Sequence, residues 1–157
     1  MTAVGCTGHQ QMPDEARRHA TSEIRTTLTA IPDLVGLTSL AAGADQLFAE
    51  TVLAVGGQLH VKVPSRRYEE SFETPTQVAA YERLLAAAAV AEVLDFDVPS
   101  EQAFYAAGKA VVDDCDLLLA VWDGQPAKGL GGSADVVHYA QARGTPVRVI
   151  WPYGVGR

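Results

Sequence analysis

The sequence predicts a three-layer Rossmann-like α/β fold, an open parallel sheet with helices on both faces, and three observations carry that prediction. Short β-rich runs alternate with longer helical patterns along the whole chain, which is the signature of βαβ units joined by right-handed crossovers. The run Asp116-Leu117-Leu118-Leu119-Ala120-Val121-Trp122 is apolar on both faces, a pattern suited to a central parallel strand covered by helices on each side. At 157 residues, 48% hydrophobic and 20% charged, the chain can bury a sizeable core, and residues 1–157 are expected to form one domain.

Each element follows from local sequence. Ala3-Val4-Gly5-Cys6 reads as a short buried strand closed by Thr7-Gly8. Pro13 suits the first turn of a helix, Asp14 and Glu15 suit its positive dipole end, and Ala16, Ala20, Ile24 and Leu28 make one apolar face. Leu34 to Leu40 is a second strand. Gly43-Ala44-Asp45 opens a second helix with Leu47, Phe48, Thr51, Val52 and Val55 inward, stopped by Gly56-Gly57. Leu59 to Val63 is a third strand, ending at Pro64. A helix is expected from about Thr76 to Val90 and a short strand near Val93-Leu94. A further helix is expected from about Ser100 to Asp114, with Phe104, Ala107 and Val111 in the core. A glycine-rich loop follows the central strand, then a helix from about Ser133 to Arg143 and a last strand from Val147 to Trp151.

Charge and composition restrict function. With 12 Lys+Arg against 19 Asp+Glu the net charge is −7, the wrong sign for a phosphate-backbone partner, so no nucleic-acid partner is expected. No apolar run is long enough to cross a bilayer and no basic leader precedes one, so a cytoplasmic protein without a membrane partner is expected. Cys6 and Cys115 form neither a disulfide framework nor a zinc motif, and neither has an evident activating base. His19, His60 and His138 lack metal-ligand spacing, so no metal and no resident cofactor are assigned. The alanine-rich run from Leu84 to Ala91 suits either a tightly packed helix or a contact in a homo-oligomer.

In open α/β sheets ligands bind beyond the carboxyl ends of the strands, where the strand order reverses. Three loops fall there. In the third, Gly129, Gly131 and Gly132 allow backbone N–H groups to approach a ligand, Ser133 could cap the next helix or bond a phosphate oxygen, and Lys128 adds a cation. Gly124 belongs to the same loop. The loop matches neither the Walker nor the ordinary dinucleotide fingerprint. In the first loop Thr7, Gly8 and His9 follow a buried strand, and in the second Gly43 and Asp45 open a helix. Asp45 could bond a ribose or simply favour the helix dipole. His9 could touch a phosphate or be structural. Asp123 and Asp135 flank the third loop and are the candidates for an acid/base or ribose-binding pair, although acids there also cap turns. Arg66-Arg67 could hold a phosphate or lie in solvent.

The residues Thr7-Gly8-His9, Leu40-Ala41-Ala42-Gly43-Ala44-Asp45, Leu119-Ala120-Val121-Trp122-Asp123-Gly124 and Gly131-Gly132-Ser133-Ala134-Asp135 resemble the SLOG superfamily, over about Val4 to Pro152. That superfamily includes the DNA-processing SMF proteins and the Lonely Guy phosphoribohydrolases. The resemblance implies binding or sensing of a nucleotide or nucleotide-derived small molecule, such as an ADP-ribose-type ligand, at the glycine-rich loop. The alternative it implies is hydrolysis of a nucleotide N-glycosidic bond. Lonely Guy enzymes carry a Pro-Gly-Gly-x-Gly-Thr-x-x-Glu loop. Here the acid, Asp135, stands one residue nearer and is one methylene shorter.

Overall fold

A computed structural model describes residues 1–127 and 129–157. The chain runs β1 (Thr2–Gly8), α1 (Asp14–Thr29), β2 (Leu34–Thr38), α2 (Ala44–Ala54), β3 (Gln58–Val63), a 3-10 turn (Tyr68–Ser71), α3 (Pro75–Ala87), β4 (Val90–Val93), α4 (Glu101–Asp114), β5 (Leu117–Val121), α5 (Ser133–Arg143) and β6 (Val147–Ile150). The strands form one sheet in the order β4-β3-β2-β1-β5-β6, and every neighbouring pair is parallel. This is the expected Rossmann-like α/β architecture. The apolar run 117–121 lies between β1 and β6, as its two apolar faces demand.

Helices α1, α2 and α3 cover one face and α4 and α5 the other. The larger core cluster, under α1, α2 and α3, is built around Ile24, Phe48, Leu59 and Leu119. The smaller one, under α4 and α5, contains Leu37, Val111, Leu118 and Val136. Gly36 in β2 lets α2 settle onto the sheet, because a Cβ there would meet Val52 and Phe48.

The alanine-rich segment differs from expectation. The alanine-rich run does not continue as helix to Val90: α3 stops at Ala87, Ala89 donates its N–H to Leu59 O at 2.8 Å, and β4 begins at Val90. Alanine permits either geometry, and the open edge of β3 decides in favour of the sheet. Helix α5 has the expected bounds, but its cap does not involve Ser133. Gly132 is its N-cap and Ser133 its first helical residue, so the serine hydroxyl does not cap the helix.

Candidate functional site

Leaving β1, the sheet grows toward β4 in one direction and toward β6 in the other, so the reversal lies between β1 and β5. The loops beyond these strands are tied together by backbone. His9 N–H donates to Val121 O at 3.1 Å, and Ala44 N–H donates to His9 O at 3.1 Å. Gly43, at φ +82°, is required by this seam. A side chain there would strike the carbonyls of His9 and Gln10. Gly8 is likewise required by packing, because a Cβ would meet Ala44 and Val121.

A cavity of about 480 Å³ opens at this reversal. Thr7, Gly8, His9, Asp45, Gly129, Gly131, Gly132 and Ser133 line it. Gly43, Asp123, Gly124 and Asp135 do not. Lys128 lies outside the described residues. One end is polar, formed by the N-terminus of α5, whose first N–H groups have no intrahelical partner and no side-chain cap. The other end, beyond β2 and β3, is aromatic. Tyr68 and Phe72 meet edge to face at 5.1 Å, and Phe104 packs on Tyr68 at 6.2 Å.

Sequence reasoning missed the aromatic wall. Tyr68 and Phe72 follow β3 on the ligand edge of the sheet, a position that could have flagged them. Phe104 packs against the larger core cluster as expected, but it is half-buried and also lines the cavity. Arg157, which also lines the cavity, carried no sequence signal.

Asp45 is buried beneath the loop that follows β2. Its carboxylate accepts the Ala41 N–H at 3.3 Å. Burial pushes its pKa up to about 7, against the opposing effect of hydrogen bonds from Ala41, Thr38 and Ser39. The same loop holds Leu40 at φ +59° with no exposed surface, a left-handed conformation that is costly for a side chain of this size.

Asp123, His9 and Arg157 form a second cluster at the mouth. His9 Nε2 lies 3.3 Å from Asp123 Oδ1, and both side chains are almost fully buried. Arg157 Nε pairs with Asp123 Oδ2 at 3.2 Å, and its terminal Nη1 lies 3.4 Å from His9 Nδ1. The Asp123 backbone N–H also donates to His9 Nε2 at 3.2 Å, so each ring nitrogen faces a donor and the neutral imidazole accepts through one of them. Burial lowers the His9 pKa and the Arg157 charge lowers it further, with Asp123 opposing both. His9 is therefore neutral at pH 7. At Asp123 burial acts upward, but the Gln125 N–H, His9 and Arg157 outweigh it and hold the carboxyl below its ordinary range. Trp151 braces the other side of His9, edge-on at 5.4 Å.

The remaining candidates have local partners. Asp135 accepts the Gly131 N–H at 3.0 Å and so closes the glycine-rich loop onto its helix. Arg66 pairs with Asp95 and Asp97, and Arg67 with Glu70, all in exposed positions. Burial raises the thiol pKa of Cys6 and of Cys115, leaving both protonated. Among the described residues no helix is long and apolar enough to cross a membrane.

No protein-family model matches the chain, and no curated protein matches it in sequence. Solved structures do match. DNA processing protein A from Streptococcus pneumoniae superposes with a TM-score of 0.70 at 18% identity, covering 95% of this chain and 50% of that one. DNA processing protein A from Helicobacter pylori, described for its single-stranded DNA binding mode, gives 0.67 at 18% identity, covering 94% and 64%. The molybdenum cofactor binding protein from Rippkaea orientalis gives 0.63 at 17% identity, covering 94% and 75%. The chain thus spans about half to two thirds of the length of the two DNA-processing proteins. These likenesses correct one expectation. Net charge had excluded a nucleic-acid partner, but a protein of this fold binds single-stranded DNA, so the exclusion does not stand. Net charge averages over a surface, whereas a strand is gripped by a local site. What the likenesses establish for this chain is its architecture, the Rossmann-like α/β fold shared by DNA-processing and cofactor-binding proteins.

Proposed function

We propose that this chain is a single SLOG-type domain that binds a nucleotide or nucleotide-derived small molecule, of which an ADP-ribose-type ligand is one form. The observation that carries the reading is the two-ended cavity at the strand reversal. The uncapped N-terminus of α5 suits phosphate, and Tyr68, Phe72 and Phe104 suit a base. A volume of about 480 Å³ is within the range of small-molecule sites. Phosphate then lies against Gly132 and Ser133, with the ribose over Thr7 and Gly8 at the sheet reversal.

The test is a thermal-shift and calorimetric panel of nucleoside mono- and diphosphates and ADP-ribose. Saturable binding of at least one is expected, with stabilisation that grows with ligand concentration. Absence of any shift across the panel would overturn the reading. A short single-stranded oligonucleotide belongs in the same panel because of the likeness to the Helicobacter pylori protein. Displacement of a bound mononucleotide by it would place a strand's nucleotide unit in the same cavity.

A further inference from the structure

Of the charged side chains that line the cavity among the described residues, Asp45 and Glu101 are acidic and Arg157 is basic, while His9 is neutral. An anionic ligand entering this cavity therefore needs a counter-charge beyond the partial charge of one helix end. We infer that Arg157 is the anion-holding residue of the site, fixed in place by Asp123 and His9 and presenting its free N–H groups to a phosphate or pyrophosphate. The inference rests on the reading that a nucleotide occupies this cavity.

The geometry supports it in three ways. First, the guanidinium is positioned rather than trailing in solvent. It is 29% exposed, pairs through Nε with a carboxylate that is 6% exposed, and lies against a buried imidazole. Second, these contacts leave it donors to spare. A guanidinium has five N–H groups; here Nε is ion-paired with Asp123 and Nη1 approaches His9, so at least three N–H groups have no acceptor among the described residues. Third, its two anchors are themselves fixed. Asp123 Oδ1 accepts the Gln125 N–H at 3.0 Å, and His9 is braced by Trp151, whose indole N–H donates to Val155 O at 2.6 Å. That last bond folds the segment after β6 back over the strand ends and brings Arg157 to the cavity. Asp123, which the sequence offers with Asp135 as an acid/base or ribose-binding pair, is on this view joined with His9 in a positioning device for a cation. Arg157 shares its charge between Asp123 and the ligand, so it contributes by direction as much as by attraction.

The experiment measures the Kd of the best-binding nucleoside diphosphate of the panel as a function of KCl concentration, for the wild type, Arg157→Gln and Arg157→Lys. Arg157→Gln should weaken binding roughly tenfold to a hundredfold, the loss of charge-assisted hydrogen bonds. It should also flatten the salt dependence, because a cation–anion contact has been removed. Arg157→Lys should retain the salt dependence and recover part of the affinity. Unchanged affinity in Arg157→Gln would overturn the assignment. So would a loss of affinity with an unaltered salt slope, since the residue would then act only by shaping the loop. A wild type that binds no nucleotide removes the functional reading and this inference with it. A wild type that binds while Arg157→Gln is indistinguishable from it removes the inference alone.

Discussion

Asp45 is a carboxylate closed in by the loop it organises, and this arrangement makes the stability of the protein depend on pH. Its pKa is about 7 in the folded chain against an ordinary value of 3.8. A raised carboxyl pKa means that the folded state binds the proton more tightly than the unfolded state. The resulting stabilisation is fully present below about pH 4 and is lost as pH rises through 7, with no further change above. The shift corresponds to at most about 4 kcal/mol over that window. Urea denaturation of the wild type and Asp45→Asn between pH 4 and 9 measures it. The difference in stability between the two should drift against the wild type up to pH 7 and then level off. A constant difference would show that Asp45 ionises normally. From the sequence alone Asp45 could be placed at a helix start, where an acid favours the dipole or reaches a ligand. Its burial under Ser39, Leu40 and Ala41, and the left-handed Leu40 it supports, are tertiary facts that no local pattern encodes.

At the scale of elements, the glycine-rich loop shows how a legible motif can have more than one cause. The sequence reads its glycines as openings for a ligand. In the structure each also makes room for protein: a Cβ at Gly131 would lie 2.9 Å from Tyr105 N, at Gly129 2.5 Å from a Glu101 carboxylate oxygen, and at Gly132 2.8 Å from the Ala127 Cβ. Gly131 in addition has φ +89°. Gly132, at φ −69°, has an ordinary backbone, so a side chain there is excluded by space alone and on the cavity side of the loop. Gly132→Val should therefore weaken nucleotide binding at least tenfold, as read by titration, by displacing the loop at Ala127 as well as by filling the cavity side. Unchanged affinity would remove the loop from the site. Asp135 makes the complementary case. Because its carboxylate accepts the Gly131 N–H, Asp135→Asn keeps an acceptor and should largely preserve binding, whereas Asp135→Ala frees the loop and should weaken it. The nucleoside monophosphates should show no appreciable release of free base in either form. Robust hydrolysis abolished by Asp135→Asn would instead promote the N-glycosidase alternative. The ends of α3 and β4 were less legible, since an alanine run lacks the branched side chains and the polar punctuation that separate helix from strand.

At the scale of the whole molecule, the central strands were readable because burial on both faces leaves a continuous apolar run, and the β6 edge was readable from Val147, while the β4 edge, expected near Val93-Leu94, was not, because its geometry is owed to one neighbour. The same asymmetry governs stability. Phe48 has no exposed surface and packs over Gly36 at the centre of the larger core, so Phe48→Ala should cost about 3–5 kcal/mol in denaturant unfolding. At the other extreme β4 is exposed along its length, with Val90 and Val93 50% and 52% exposed, and it pairs with β3 alone. A strand with few buried contacts opens locally at little cost, whereas β1 and β5, flanked on both sides and covered above and below, open only when the whole sheet does. Hydrogen exchange should therefore grade across the sheet. Amides of β1 and β5 should exchange at the rate of global unfolding, slowed further by a bound nucleotide. Those of β4 that donate to β3 should exchange faster by orders of magnitude and respond weakly to ligand, because no residue of β4 lines the cavity. Equal protection of β4 and β5 in a dilute sample would contradict the gradient. Protection of β4 that grows with protein concentration would place a second copy of the chain on this edge, the kind of contact to which an exposed strand is prone.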